Sequence, residues 1–244
     1  MPDGCLAERL GELVELTPAE RNALDELEGR ERAIRRGAAL VRENERLGEL
    51  FVLRRGMVMS YVLLDDGSRQ ILRFYFPGDI LASSTLAYRK SPESIVALTD
   101  SSVSPFDRSA CARIAIDHPR IMALFAVLNQ IAHVTLTDRL AALGRTSAKA
   151  RIAALLLEIR NGMRQGDRAI QLSFPLVLTQ EEIGDATGLT AVHVNRMLRQ
   201  LEEEGKITRQ GGTITLVDED RLCRAANYID RREGLDLSWL PPGR

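Results

Sequence analysis

The sequence predicts an α+β chain with an antiparallel β-roll, one long helix, and a C-terminal unit of short helices and a β-hairpin. Three observations carry this. Short apolar or alternating runs punctuated by glycine recur between residues 33 and 106. Residues 117–143 contain no glycine and repeat apolar side chains at helical spacing. Between residues 179 and 216, two capped helical segments precede two β-rich runs joined by Gly211-Gly212.

The chain's 244 residues suit two small domains better than one large one. With 45% hydrophobic and 27% charged residues it matches globular proteins, which excludes a disordered chain, a collagen-like fibre and a disulfide scaffold. No uninterrupted run of about 18 apolar residues occurs, so no transmembrane helix is expected. The opening Met-Pro-Asp-Gly-Cys lacks a basic segment followed by an apolar one, so no secretory leader is expected and the chain should be cytoplasmic. A net charge of −1 argues against a polycation that coats nucleic acid, yet leaves room for one basic face. Cys5, Cys111 and Cys223 lie far apart, and His118, His133 and His193 form no His-x-x-x-His pair, so neither a disulfide framework nor a metal site is expected.

Leu6, Leu10, Leu13 and Leu16 mark a first short helix. Thr17-Pro18-Ala19-Glu20 combines an N-cap, a proline at the first helical position and a capping-box glutamate, and so begins a second. Runs at 50–53, 57–64, 71–76 and 95–98 then read as strands, with Asp66-Gly67 as a hairpin turn. Several such strands at near-regular spacing suggest a small antiparallel roll. In the long helix, Ile121, Leu124, Leu128 and Ile131 form a stripe, extended by Leu136, that should face an identical helix in a dimer. Gly144 should stop this helix and Ser147 should cap the next, which makes residues 144–147 a hinge. The expected division is 1–30 (N-terminal helices), 31–116 (roll), 117–144 (dimerisation helix), 145–220 (helices and hairpin) and 221–244 (C-terminal helix and tail).

Residues 179–205 carry the function. Thr179 and Glu182 form a second capping box, Gly188-Leu189 a turn, Thr190 a cap, and Gly205 a helix stop. Ile183, Leu189, Val194 and Met197 fall where two crossing helices must bury side chains. Gly184 falls where they approach closely, and Gly188 where the turn favours positive φ. This is helix-turn-helix spacing, and the following hairpin makes it a winged helix. A winged helix lays its second helix in a DNA major groove, with N-terminal residues reaching the bases. The DNA-contacting set is therefore Thr179, Gln180, Thr190, Ala191, Val192, His193, Asn195, Arg196 and Arg199, with Lys206 and Arg209 of the wing on phosphates. Arg196 is the prime candidate for guanine or phosphate, Asn195 for adenine, and Val192 for a thymine methyl. Glu202-Glu203-Glu204 should point away from DNA.

The chain resembles the Crp/Fnr family of bacterial transcription regulators. The resemblance rests on LTQEEIGDATGLTAVHVNRMLRQLEEEGKI, on FYFPGD in the roll, and on TSAKARIAALLLEI before the reader. It implies a cyclic-nucleotide-binding-like jelly roll, a homodimer on a pseudo-palindromic operator, and contact with RNA polymerase. Cyclic-AMP-binding members carry Gly-Glu and Arg-Ser in their phosphate cassette; here those positions hold Ala82-Ser83 and Glu93-Ser94. Glu93 would repel a cyclic phosphate, with only Arg89 nearby to substitute. The vestigial effector pocket would comprise Ser83, Ser84, Arg89, Glu93, Ser94 and Thr137, and cyclic AMP is not the expected effector. Oxygen-sensing members hold an iron–sulfur cluster on closely spaced N-terminal cysteines; Cys5 stands alone there, so no such cluster is expected. Ala191-Val192 replace the family's Arg-Glu at the start of base readout, while Arg196 keeps the later arginine. The competing reading is a cyclic-nucleotide or other small-molecule sensor whose helix-turn-helix serves as a protein-interaction module. An enzyme is not expected, since no nucleophile elbow, P-loop, metal triad or dinucleotide fingerprint is present.

Overall fold

The structure is a computed structural model that describes residues 5–46, 48–232 and 234–243. Residues 1–4, part of the segment read for a leader, lie outside the described residues. The chain forms two compact units. The first comprises Met1–Val62, Phe74–His133 and Arg232–Arg244, and the second Leu63–Arg73 and Val134–Arg231. The division thus falls inside the long helix; a helix boundary does lie within the expected break at 144–147, but Gly144 does not stop the helix, which runs on to Arg145.

In the first unit, α1 (Cys5–Gly11) and α2 (Pro18–Leu27) precede the roll. The Thr17 capping box forms as expected, and its glutamate, Glu20, also pairs with Arg120 at 3.1 Å. Glu28, just past α2, accepts hydrogen bonds from the backbone N–H of Leu6 (2.8 Å) and Cys5 (3.2 Å), and so satisfies donors at the start of α1.

The roll consists of β1 (Arg32–Ile34), β2 (Ala39–Val41), β3 (Glu49–Arg55), β4 (Val58–Leu63), β5 (Arg69–Tyr75), β6 (Ile80–Leu81), β7 (Ser94–Ala97) and β8 (Ser101–Asp107). Two four-stranded sheets run β1-β8-β3-β6 and β2-β7-β4-β5. Strand β3 shows why it is apolar on both faces. Leu50 and Val52 pack on the helices with Leu6, Leu24 and Phe106, while Phe51 and Leu53 point into the roll with Val58, Tyr75 and Ile95. Strand β8 (SSVSPFD) gives little strand signal, yet it lies between β1 and β3. Its Pro105 opposes Phe51 of β3, beyond the end of the β1 pairing, so the missing N–H faces no partner strand.

Helix α3 (Arg108–Asp117) is capped by Asp107, and α4 (Pro119–Arg145) follows. Ile121 and Leu124 are fully buried with α1, α2 and α3, so they serve the chain's own core and are not available to a partner helix. This corrects their assignment to a dimer seam. The stripe has two roles: its N-terminal part is core, Leu128 and Ile131 are half-buried, and Leu136 is exposed. α4 is also the one helix among the described residues long and apolar enough to span a bilayer by composition, although polar residues interrupt its apolar run. Its apolar start is taken up by protein.

The second unit contains α5 (Ala148–Gly166), capped by Ser147, then β9 (Ser173–Pro175), α6 (Gln180–Thr187), α7 (Ala191–Glu203), β10 (Ile207–Gln210), β11 (Thr213–Leu216) and α8 (Glu219–Ala226). Its core joins Ile152, Leu156 and Ile159 of α5 to Phe174, Ile183, Leu198, Leu201, Ile214 and Leu222, all fully or almost fully buried. The sheet runs β10-β11-β9, so the short strand that ends at Pro175 forms one edge of the wing.

Candidate nucleic-acid interface

The local signals at 179–216 form as the sequence implies. Thr179 accepts from the Glu182 N–H (3.1 Å), and Glu182 accepts from the Thr179 N–H (2.7 Å), which starts α6. Thr190 accepts from the His193 N–H at 3.3 Å and starts α7. Gly188 turns the chain at φ 66°. At Gly184 a Cβ would stand 2.3 Å from the Leu189 carbonyl oxygen, so the α6–α7 crossing requires glycine there.

Helix α7 is sharply two-faced. Val194, Met197, Leu198 and Leu201 are buried, whereas Val192, Arg196, Arg199 and Glu203 form an exposed stripe at spacings of four and three. Val192 is 82% exposed, a large aliphatic group left in water beside the N-terminus of the helix. Thr179, Gln180 and Thr190 are exposed; Ala191, His193 and Asn195 are half-buried. Of the nine helix-turn-helix positions, six are thus exposed and three half-buried, with Thr179 and Thr190 also occupied as caps. Among the described residues, Arg196 makes no hydrogen bond or ion pair.

The wing differs from expectation in its charges. Lys206 is ion-paired with Glu204, which also holds Lys149, and the Lys206 side chain is only 13% exposed. Arg209 pairs with Glu202 at 2.6 Å. The two wing cations are therefore engaged with the acidic run and are not extended toward phosphates. The physical cause is proximity: the β10 turn brings them back onto the end of α7. Hydrogen bonds from Arg209 hold Glu202 below the usual carboxylate range, and those from Lys149 and Lys206 do the same for Glu204. Glu204→Gln should release both lysines and steepen the salt dependence of DNA binding by roughly one phosphate contact. A titration of affinity against salt checks this, and an unchanged slope counts against it.

One set of contacts had no signal in the sequence. Arg69 donates through Nε to Asp185 of α6 at 2.7 Å, and Gln70 donates to the Asp185 carbonyl at 2.8 Å. Arg139 of α4 donates to the Leu72 carbonyl (2.9 Å) and forks onto Glu158 of α5 (3.0 and 3.1 Å). Residues 69–72 thus brace the first helix of the reader. Asp185→Asn should cost about 0.5–1 kcal/mol, the scale of a partly exposed pair, in urea unfolding. Wild-type stability in that assay would show the pair to be incidental.

The effector residues do not form a cationic site. Ser83 and Ser84 lie on a short 3-10 turn, Arg89 is exposed, and Glu93 is half-buried. The buried Ser94 hydroxyl is taken up by the Glu43 N–H at 3.0 Å. Thr137 is exposed on α4 and belongs to the second unit. Burial pushes the thiols of Cys5, Cys111 and Cys223 upward, away from reactive thiolates.

Comparison with known proteins agrees with this geometry. Residues 150–225 match the family model of the Crp-like helix-turn-helix domain, and residues 31–118 that of the cyclic nucleotide-binding domain. The chain is 26% identical over 213 residues to the transcriptional activator protein Anr of Pseudomonas aeruginosa, covering 86% of each. It is 24% identical to the fumarate and nitrate reduction regulatory protein of Escherichia coli, over 87% of this chain and 85% of that one. The structure of FixK2 from Bradyrhizobium japonicum superposes with a TM-score of 0.71 at 28% identity, covering 82% of this chain and 98% of that one. With residues 31–118 matching the cyclic nucleotide-binding domain model, residues 150–225 the Crp-like helix-turn-helix model, and 86% of the chain aligned with a transcriptional activator, this chain belongs to the Crp/Fnr family of DNA-binding transcription regulators.

Proposed function

We propose that the protein works as a homodimer on a pseudo-palindromic operator, without catalytic activity, and under a signal other than a cyclic nucleotide. Two copies of α7 would enter successive major grooves about 34 Å apart. The observation that carries the reading is the exposed stripe of Val192, Arg196 and Arg199 beside the capped start of α7. The wing backbone and the N-terminus of α6, with Thr179 and Gln180, supply phosphate-facing donors. The competing reading, a decayed reader used as a protein-interaction module, does not explain an exposed arginine stripe placed on the outward face of an intact helix-turn-helix.

Leu136 and Leu140, 48% and 71% exposed and one turn apart on α4, are the supporting observation for a dimer seam. The seam is accordingly assigned to Leu136 and Leu140, C-terminal to the buried Ile121 and Leu124. Glu93, which would repel a cyclic phosphate, and the burial of Ser94 support an effector other than cyclic AMP. Cys5 donates its thiol hydrogen to the Arg54 carbonyl at 3.1 Å, which does not favour cluster ligation. Family membership supports the further proposal that the protein contacts RNA polymerase in a cytoplasmic setting.

Immunoprecipitation of the protein with its genomic DNA tests the reading. The expected result is enrichment of a two-fold-symmetric motif with half-sites about one helical turn apart. Recovery of no motif, or protein that stays off DNA at low salt, overturns it. Thermal-shift measurements with cyclic AMP, cyclic GMP and haem address the effector; stabilisation by either nucleotide overturns that part alone.

A further inference from the structure

The first unit contains a cavity of about 330 Å³ outside the roll, between α1, α4 and the C-terminal segment. Its lining combines the apolar Leu13, Leu128, Ile131, Leu235 and Leu237 with the charged Arg9, Glu12 and Arg232. The size lies at the lower end of small-molecule sites, and an apolar body with a few convergent polar groups is their usual character. None of the residues Ser83, Ser84, Arg89, Glu93, Ser94 or Thr137 lines it.

Arg9 is the unusual member. Its side chain is only 9% exposed. Nη2 reaches Asp79 at 3.4 Å, a long contact, because the other Asp79 oxygen already accepts from the Phe76 N–H. Nη1 stands 3.9 Å from Glu12, beyond hydrogen-bond range. Nε and Nη1 have no hydrogen-bond partner among the described residues. A buried guanidinium is rarely left with unused donors, and a carboxylate is the acceptor that suits it best. Glu12 in the same lining places a like charge beside any anion, which favours a monoanion over a phosphate dianion.

The C-terminal segment, to which the sequence assigns no role, forms one side of the cavity. Leu240 packs on the helical core and its N–H donates to the Leu237 carbonyl at 3.1 Å. Beyond the two prolines that follow, Gly243 lies against Arg120 and Thr17. The segment is thereby tied down beyond the cavity, so that Leu235 and Leu237 act as its wall.

We propose that this cavity binds a small monocarboxylic acid with an apolar chain or ring. The carboxylate sits at Arg9 and Arg232, and the apolar part lies on the leucine wall. Such a ligand would bridge α1, α4 and the C-terminal segment.

Calorimetric titration of the full chain with octanoate and phenylacetate tests this, with octanol and phenylacetamide as neutral counterparts. The acids should bind with dissociation constants on the order of 10–100 μM and the neutral molecules at least about tenfold more weakly. Arg9→Met should weaken the acids by about tenfold or more. Ile131→Trp, which fills the cavity, should abolish binding while raising the melting temperature. Arg89→Ala, in the roll, should leave binding unchanged. If Arg9→Met does not fold, Ile131→Trp and a chain ending at Arg231 decide the matter. No binding of either acid at millimolar concentration overturns the proposal. So does equal binding of the neutral molecules, or loss of binding in Arg89→Ala with retention in Ile131→Trp. DNA binding enters none of these readouts, so the site can fail without the regulator reading failing, and the reverse.

Discussion

Arg196→Ala is expected to weaken binding to the specific operator by about 1–3 kcal/mol, or roughly 5- to 150-fold, and to flatten preference at one base pair in each half-site. The side chain is exposed, and none of its atoms bonds elsewhere among the described residues, so its removal should leave stability within about 0.5 kcal/mol of wild type. The effect is therefore separable from folding. Gel-shift titration against a panel of operator variants measures both parts. Unchanged affinity and preference would remove Arg196 from the readout, whereas a uniform loss across all sequences would make it a phosphate contact. Asp185→Asn supplies the contrast, since its expected loss is one of stability and not of base preference.

Gly184→Val should have the largest effect on folding of any single change in the reader. The new Cβ would lie 2.3 Å from a backbone oxygen, that of Leu189, and a backbone atom cannot swing aside as a side chain does. The Gly184 carbonyl also accepts from the Gly188 N–H and from the Leu189 N–H at 3.1 Å, so parting the helices breaks the turn that orients α7. A loss of about 3 kcal/mol or more is expected in urea unfolding followed by helical circular dichroism, together with loss of DNA binding. Wild-type stability with wild-type affinity would mean that the crossing is looser than the geometry requires.

The two predictions draw on features that differ in how they could be found. Gly184, Gly188, the Thr179 and Thr190 caps and the Gly211-Gly212 turn all act within a few residues of themselves, so their spacing is readable along the chain. The same holds for the Thr17 and Ser147 caps. Strand β8 escaped because its apolar pattern is weak and its place is set by β1 and β3 on either side. Periodicity in α4 identified a helix and an apolar stripe, but periodicity does not say what covers a stripe. Ile121 and Leu124 went to the chain's own core, leaving Leu136 and Leu140 outward.

The linear chain was enough to establish the order of roll, long helix and winged reader, and the face of α7 that looks outward. These follow from hydrogen bonds and side-chain spacings that close within about one or two helical turns. Folding in three dimensions decided which charges are spent internally and which remain for a partner. Lys149 meets Glu204 across 55 positions and Arg69 meets Asp185 across 116, distances over which no local pattern carries information. Arg196 remains outward because no acid is brought to it, whereas Lys206 and Arg209 are neutralised because the hairpin returns them to Glu204 and Glu202. Arg9 and the C-terminal segment line one cavity although more than two hundred residues separate them.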